Sequence, residues 1–277
     1  MKRNRLLKYI LLGVIAALAA TFLLPKQKQD TPQRTTRDYA EIKKEGIIRA
    51  AMEYNSISFY IDGDTVSGFH YELIEAFARD HGLKVDIIPE MSFDKRMQEL
   101  AEGKCDIMAY GILATSELKD SLLLTRPIIL NKDVLVQRKP QGKEGDDSLF
   151  IKSQLNLAGK TVHVVKSSPS ILRIHNLANE IGDTIHIKEI EKYGPEQLIA
   201  LVAHGDIDYA VCNERIARIA AESLPQIDIS TAISFTQFYS WGVSKQSPVL
   251  LDSLNTWLER FMKTKTYRKI HRKYYPD

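Results

Sequence analysis

The order of apolar and polar positions predicts alternating strands and helices from residue 38 onward. Ile47-Ile48-Arg49-Ala50-Ala51-Met52 is a mostly apolar run of strand length, preceded by a short helix start over residues 38–46. Phe69, Leu73, Phe77 and Ala78 then recur at helical spacing, with Glu72, Glu75 and Arg79 off that stripe, which predicts a helix over 70–81 closed by Gly82. Between the two, residues 54–68 read as a loop or hairpin turning at Asp62-Gly63. A strand over 84–88 and a helix over 93–102 follow, and residues 103–127 supply a buried-looking strand, a glycine-bearing bend and a polar helix start. Strand, helix, strand, helix with short connections predicts a parallel sheet with helices on its faces. Such sheets bind ligands beyond the carboxyl ends of their strands.

The pattern then restarts. After one more strand, Asp133–Arg138, and a polar loop over 140–148, Leu157-Ala158-Gly159-Lys160 leads into the strand Thr161–Val165. A serine-rich turn, Ser167-Ser168-Pro169-Ser170, opens a helix over 171–181, followed by a strand over 184–187 and a helix from Gly194-Pro195 to His204. A strand over 207–212 ends at Asn213, which suits the cap of the next helix. The chain thus predicts two successive halves of similar size. A strand over 238–243 returns after them, and a last helix over 248–262 carries Leu250, Leu254, Trp257, Leu258 and Phe261 on one stripe. The basic run beyond it reads as a solvated terminal helix with Tyr267, Ile270 and Tyr274 packed inward, in preference to a nucleic-acid or membrane contact.

Composition changes the picture mainly at the N-terminus. With 44% apolar and 26% charged residues, the 277-residue chain is globular and long enough for two modest domains. Residues 1–37 hold eight Lys/Arg against one Asp, a net of +7, so the remainder carries −4 within a total of +3. The basic balance belongs to the tail, and nucleic acid is not expected as a partner. Lys2, Arg3, Arg5 and Lys8 precede an uncharged, mostly apolar run over 9–25, the signature of export. Residues 1–26 are expected to be a signal peptide or N-terminal membrane anchor. An uncleaved anchor in the cytoplasmic membrane is favoured, because cleavage after Ala19 leaves apolar Thr21-Phe22-Leu23-Leu24 at the new start. Residues 27–37 read as a polar tether, which places the globular part in the periplasm or outside the cell. Cys105 and Cys212 each sit in an apolar run and read as buried thiols. With neither CxxC nor a Cys/His cluster, no metal or cofactor is expected.

Six phrases fall in a telling order: Gly68-Phe69-His70-Tyr71-Glu72-Leu73, Gly103-Lys104-Cys105-Asp106, Thr115-Ser116-Glu117, Leu157-Ala158-Gly159-Lys160, Gly205-Asp206-Ile207-Asp208 and Tyr267-Arg268-Lys269-Ile270. In this the chain resembles the bacterial extracellular solute-binding proteins of family 3, the periplasmic amino-acid-binding type. The nearest resemblance is to the N-terminal, non-catalytic domain of membrane-bound lytic transglycosylase F. The resemblance implies an α/β fold, a two-lobe periplasmic-binding-protein clamshell of type II in which each lobe is a mostly parallel sheet flanked by helices. Lobe 1 would comprise residues 38–136 and 237–277 and lobe 2 residues 137–236, with the strands at 133–138 and 238–243 as hinge crossings. Carried over by position, it implies ligand contacts at Tyr54, Ser56 and Phe59 after the first strand. Others fall at Tyr110, Gly111 and Leu113 around the bend, at Thr115 and Leu118, and in lobe 2 at Ser167, Ser168, Ser170 and Asn213.

Two departures matter. Amino-acid binders of this family have an arginine three residues after the threonine, and here that position is Leu118. The lobe-2 aspartate that holds an α-ammonium aligns with Asn213, although Glu214 is adjacent. Arg126 or Lys119 could substitute for the arginine, but helical spacing points Lys119 away from the direction of Leu118. The expected ligand is therefore a small molecule other than a standard free amino acid: a peptide, an amino-acid derivative or a cell-wall fragment. No catalytic residue is expected. GxSxG, HExxH and P-loop motifs are missing, and a cyclohexadienyl-dehydratase-type enzyme on this fold would need the arginine replaced by Leu118. A lytic transglycosylase needs a further helical domain, for which Pro276-Asp277 leave no room. The expected role is a tethered sensor or regulator of a cell-wall enzyme, with delivery to an ABC permease as the alternative.

Overall fold

The computed structural model describes residues 36–140 and 149–276, and the expectations for the N-terminal segment and for the loop over 141–148 lie outside them. Helix α1 (Tyr39–Glu45) starts where Asp38 and Glu41 form a capping box, and Gly46, at φ 72°, ends it. Strand β1 (Ile47–Met52) leads through a short hairpin, β2 (Tyr60–Asp62) and β3 (Thr65–Ser67), to α2 (Phe69–Asp80). Gly68 joins hairpin to helix at φ 141°, and a Cβ there would lie 2.3 Å from the Ser58 carbonyl oxygen. Only glycine allows that approach, which lets Phe69 N–H donate to Ile57 O (2.6 Å) and Tyr71 N–H to Ser58 O (3.1 Å). The first family phrase thus has a physical meaning: it pins the loop over 55–58 against the start of α2.

Strand β4 (Lys84–Pro89), α3 (Phe93–Ala101), β5 (Ile107–Leu113), α4 (Ser116–Ser121), β6 (Leu122–Leu124) and β7 (Ile129–Asn131) complete the first half. β1 pairs in parallel with β4 on one side and β5 on the other. The second half runs β8 (Asp133–Arg138), β9 (Thr161–Val165), α5 (Ser170–Ile181), β10 (His186–Ile190), α6 (Pro195–His204), β11 (Ala210–Asn213), α7 (Glu214–Ser223) and β12 (Ile227–Asp228). Here β9 pairs in parallel with β10 and β11, while β8 lies antiparallel to β11 and β12. The chain then returns as β13 (Gln237–Ser244), antiparallel to β5, β6 and β7, followed by α8 (Pro248–Phe261) and α9 (Lys265–Tyr274). Among the described residues the two large sheets have the strand orders β4-β1-β5-β13-β6 and β10-β9-β11-β8-β12. The fold is a two-lobe α/β clamshell.

Both sheets are mixed: each has a parallel core joined to an antiparallel strand, β13 in one and β8 in the other. The strand over 133–138 lies wholly in the second sheet, so the first crossing falls at Lys132, between β7 and β8. The predicted strand over 207–212 begins only at Ala210, because Asp206 and Ile207 N–H groups bond back to Leu201 O (3.0 and 3.4 Å) and so finish α6. Likewise β10 begins two residues late, since Asp183 N–H bonds to Ala178 O (3.2 Å) and wraps the end of α5. Short β6 and β7 carry no pattern of their own and exist because β13 offers them an edge.

The α8 stripe is buried as expected, with Trp257 stacked on Phe261 (4.3 Å between centroids) and its Nε1–H donated to Asp80 (2.8 Å). Tyr267, Ile270 and Tyr274 of α9 are buried too. Arg37, assigned to the tether by sequence, is buried against Asp106, which also accepts from Arg49 N–H (2.7 Å). The aspartate of the second family phrase is thus a structural anchor. Cys105 and Cys212 are buried, unbridged thiols.

Candidate functional site

Strand order locates the site. In each sheet the strand that follows the first βαβ unit returns on the opposite side of the starting strand, a switch point at the carboxyl ends of β1 and β5 and of β9 and β11. A cavity of about 140 Å³ opens between the lobes there. Its walls are Glu53, Asn55 and Ser58 after β1, Tyr110 and Gly111 on β5, Ser167 to Ser170 after β9, and Cys212 and Asn213 at the end of β11. A cavity of roughly 150 Å³ holds a benzene-sized molecule, so the enclosed part of any ligand is small.

Four polar groupings face this space. The first is on lobe 1: Arg96, on α3, is 3% exposed, and its guanidinium lies over the Tyr110 ring, 4.2 Å from the centroid. One of its terminal nitrogens donates to the Glu90 carbonyl, while Arg96 Nε and the Tyr110 hydroxyl are buried without a hydrogen-bond partner among the described residues. Burial pushes the Tyr110 phenol up to about 12, against the pull of Arg96. Burial also raises the Glu53 carboxyl, which Arg96 opposes and Glu196 reinforces.

The second grouping lies on lobe 2, just past the crossing. Asp133 is 4% exposed and accepts from Ser170 Oγ (2.8 Å), which itself accepts from Ser168 Oγ (3.1 Å). Burial raises the Asp133 carboxyl, with Ser170 working the other way, and among the described residues no cationic side chain pairs with it. Third, Asn131 of β7 donates to the Asn213 side chain (2.7 Å), which also caps α7 through Arg215 N–H (3.0 Å). Fourth, His70 accepts from Trp241 Nε1–H at Nδ1 (3.0 Å), which leaves the proton of a neutral ring on Nε2, beside Gly111. Burial drives its pKa down to about 3.

The lobes also touch directly. Glu196, in the first turn of α6, accepts from Ser56 N–H (2.9 Å) and Ser56 Oγ (3.1 Å), and Ser167 Oγ donates to Asp94 on α3 (2.9 Å). Ser167 holds a left-handed backbone at φ 57°, a strained turn that its N–H bond to Glu189 (2.9 Å) helps fix.

Of the residues inferred by position, Tyr110, Gly111, Ser167, Ser168, Ser170 and Asn213 line the cavity. Ser56 lies at the lobe contact. Tyr54 is half exposed, edge-on to Phe59 (5.8 Å), and Phe59 is packed against Tyr71. Leu113 is buried beyond the cavity wall, Thr115 caps α4 through Leu118 N–H (3.3 Å), and Leu118 packs against the core beneath β5 and α3. Lys119 is exposed, and Arg126 pairs on the surface with Glu259 (3.3 Å), so neither reaches the cavity. The sequence reading missed Glu53, Arg96, Asp133 and His70. Of these only His70 stood in a recognised phrase; Arg96 looked like one more polar position on an amphipathic helix.

Two lobes joined by two crossings, with a cavity between them whose largely apolar wall carries a few placed polar groups, define a ligand-binding clamshell. The model of bacterial extracellular solute-binding proteins, family 3, matches residues 47–277, and the chain belongs to that family. Curated relatives include the membrane-bound lytic murein transglycosylase F of Desulfosudis oleivorans, 26% identical over 88% of this chain and 52% of that protein. That of Photobacterium profundum is 24% identical over 81% and 42%. The chain thus spans about half the length of the curated relatives it matches. Among solved structures, an ancestral arginine-binding protein bound to arginine is similar with a TM-score of 0.71 and 25% identity over 83% of this chain and 98% of that one. A mutant of ArgBP from T. maritima has a TM-score of 0.72 at 23% identity, over 86% and 99%.

Proposed function

We propose that the chain is a non-catalytic, extracytoplasmic solute-binding module that closes on a small ligand between its lobes and acts as a tethered sensor or regulator. The cavity carries the reading: buried polar groups from both lobes and from the crossing converge on a space too small to be a general surface groove. Closure requires the ligand to make better contacts in the closed state than in the open one, and Ser56, Glu196, Ser167 and Asp94 form a latch that rewards closure.

The ligand in this reading is a peptide, amino-acid derivative or cell-wall fragment, one end of which enters the cavity. Leu118 packs into the core instead of facing the cleft, so the usual carboxylate clamp is missing from its usual place. Calorimetric titration with the twenty amino acids tests this; micromolar binding of any of them refutes it. Arginine and glutamine are the ligands named for similar ancestral binding proteins, which supports the second reading, an ABC-transporter binding protein for amino acids. The regulatory reading draws on likeness to the transglycosylase relatives and on the basic, apolar N-terminus. Mass spectrometry of the N-terminus in membrane and soluble fractions separates the two: a soluble form starting near Ala20 overturns the tethered version.

A further inference from the structure

We propose that Arg96 and Tyr110 form the anion anchor of the cleft, taking a carboxylate of the ligand at a position unrelated to the Thr115–Leu118 turn. The inference rests on the binding role proposed above and adds one chemical group to it. Arg96 is 3% exposed and forms no ion pair among the described residues. A guanidinium cannot shed its proton, so a buried one without a counter-ion is strongly disfavoured unless something supplies the charge. The Glu53 and Glu90 carboxylates lend Arg96 a favourable field, but among the described residues neither bonds to the guanidinium: Glu90 offers only its backbone carbonyl, and burial pushes Glu53 toward its neutral form.

Two donors point to the same missing partner. Arg96 Nε and the Tyr110 hydroxyl are buried in the cavity wall with no acceptor among the described residues. They belong to neighbouring side chains, since the guanidinium covers the Tyr110 ring at 4.2 Å. The Glu90 carbonyl holds one end of the guanidinium and the ring holds its face, so the group is fixed before a ligand arrives. A carboxylate supplies both the acceptor oxygens and the charge, which water or an amide carbonyl does not.

The test uses the full chain labelled with ¹⁵N. The Arg96 Nε–H resonance is the one lost in Arg96→Gln. Titration with formate is expected to shift it saturably, and titration with formamide is not. An unmoved resonance, or an equal response to formamide, overturns the assignment. In parallel, calorimetry compares dipeptides with their C-terminal amides. The acids are expected to bind about thirtyfold tighter or more, and Arg96→Gln to abolish the difference. Because Arg96 also holds the Glu90 carbonyl, Tyr110→Phe serves as the second variant. It removes a hydroxyl that accepts or donates no hydrogen bond of normal geometry among the described residues, so the fold is kept while acid binding weakens about fivefold. Acids that bind unchanged to Arg96→Gln sink the anchor and leave a binding cleft standing. If no compound binds the wild type, the proposed function fails, and the formate response of Arg96 still decides the anchor.

Discussion

Lowering the pH should destabilise the fold through one histidine. His70 is 3% exposed, its Nδ1 is occupied by the Trp241 N–H, and burial lowers its pKa from 6.5 to about 3. Between those two values the unfolded chain holds a proton that the folded protein refuses, so stability falls as pH falls. The loss is small at pH 7, reaches about 2 kcal/mol near pH 5 and approaches about 5 kcal/mol below pH 3. Glu53 and Asp133 act in the opposite sense. Their folded carboxyls are raised by burial, so the folded state binds more protons and gains stability as pH falls toward their unfolded values. A raw pH profile mixes both effects, and a variant isolates the histidine. In His70→Asn the amide oxygen can still accept from Trp241 while nothing titrates. Urea unfolding of both proteins at pH 7, 6 and 5 gives two stability curves whose difference cancels the carboxylates and the packing change. The wild type should lose about 2 kcal/mol more than the variant between pH 7 and 5. Parallel curves would refute the claim that His70 is held neutral.

Four further perturbations follow from the site and its supports. Glu196→Ala removes both bonds to Ser56, and small-angle scattering should show a more open molecule, with the closed population reduced about tenfold; an unchanged radius of gyration counts against the latch. Asp133→Asn should stabilise the ligand-free protein by roughly 1 kcal/mol or more at neutral pH and so raise its melting temperature, since it removes an unpaired buried charge. A fall in melting temperature would show that the carboxylate is structural. Gly68→Ala puts a Cβ 2.3 Å from the Ser58 oxygen and should cost roughly 3 kcal/mol in urea unfolding; a loss under about 0.5 kcal/mol, the range of a neutral surface change, contradicts the close approach. Asp106→Asn leaves Arg37 without its buried partner and should cost about 3 kcal/mol in the same assay, whereas near-wild-type stability would mean the pair is dispensable.

What the sequence revealed and what it hid divide along a physical line. The α2 and α8 stripes, the Gly46 and Gly63 turns and the Asn213 cap are local: each depends on residues within a turn or two, so spacing exposes them. The lobe-2 serines were legible for the same reason, because a turn that opens a helix at a strand end needs small hydroxyls. Arg96, Tyr110 and Glu53 carry no such mark. They come from three elements, α3, β5 and the loop after β1, and meet only because β1 and β5 are neighbours in the sheet and α3 packs beside them. Asp133 looked like an ordinary strand start, and its character comes from Ser170, at the start of α5 in the same lobe. Thr115 and Leu118 erred in the other direction. Their phrase resembles a ligand clamp, but without an arginine the turn needs only a cap, and an apolar side chain at 118 gains by packing against the core.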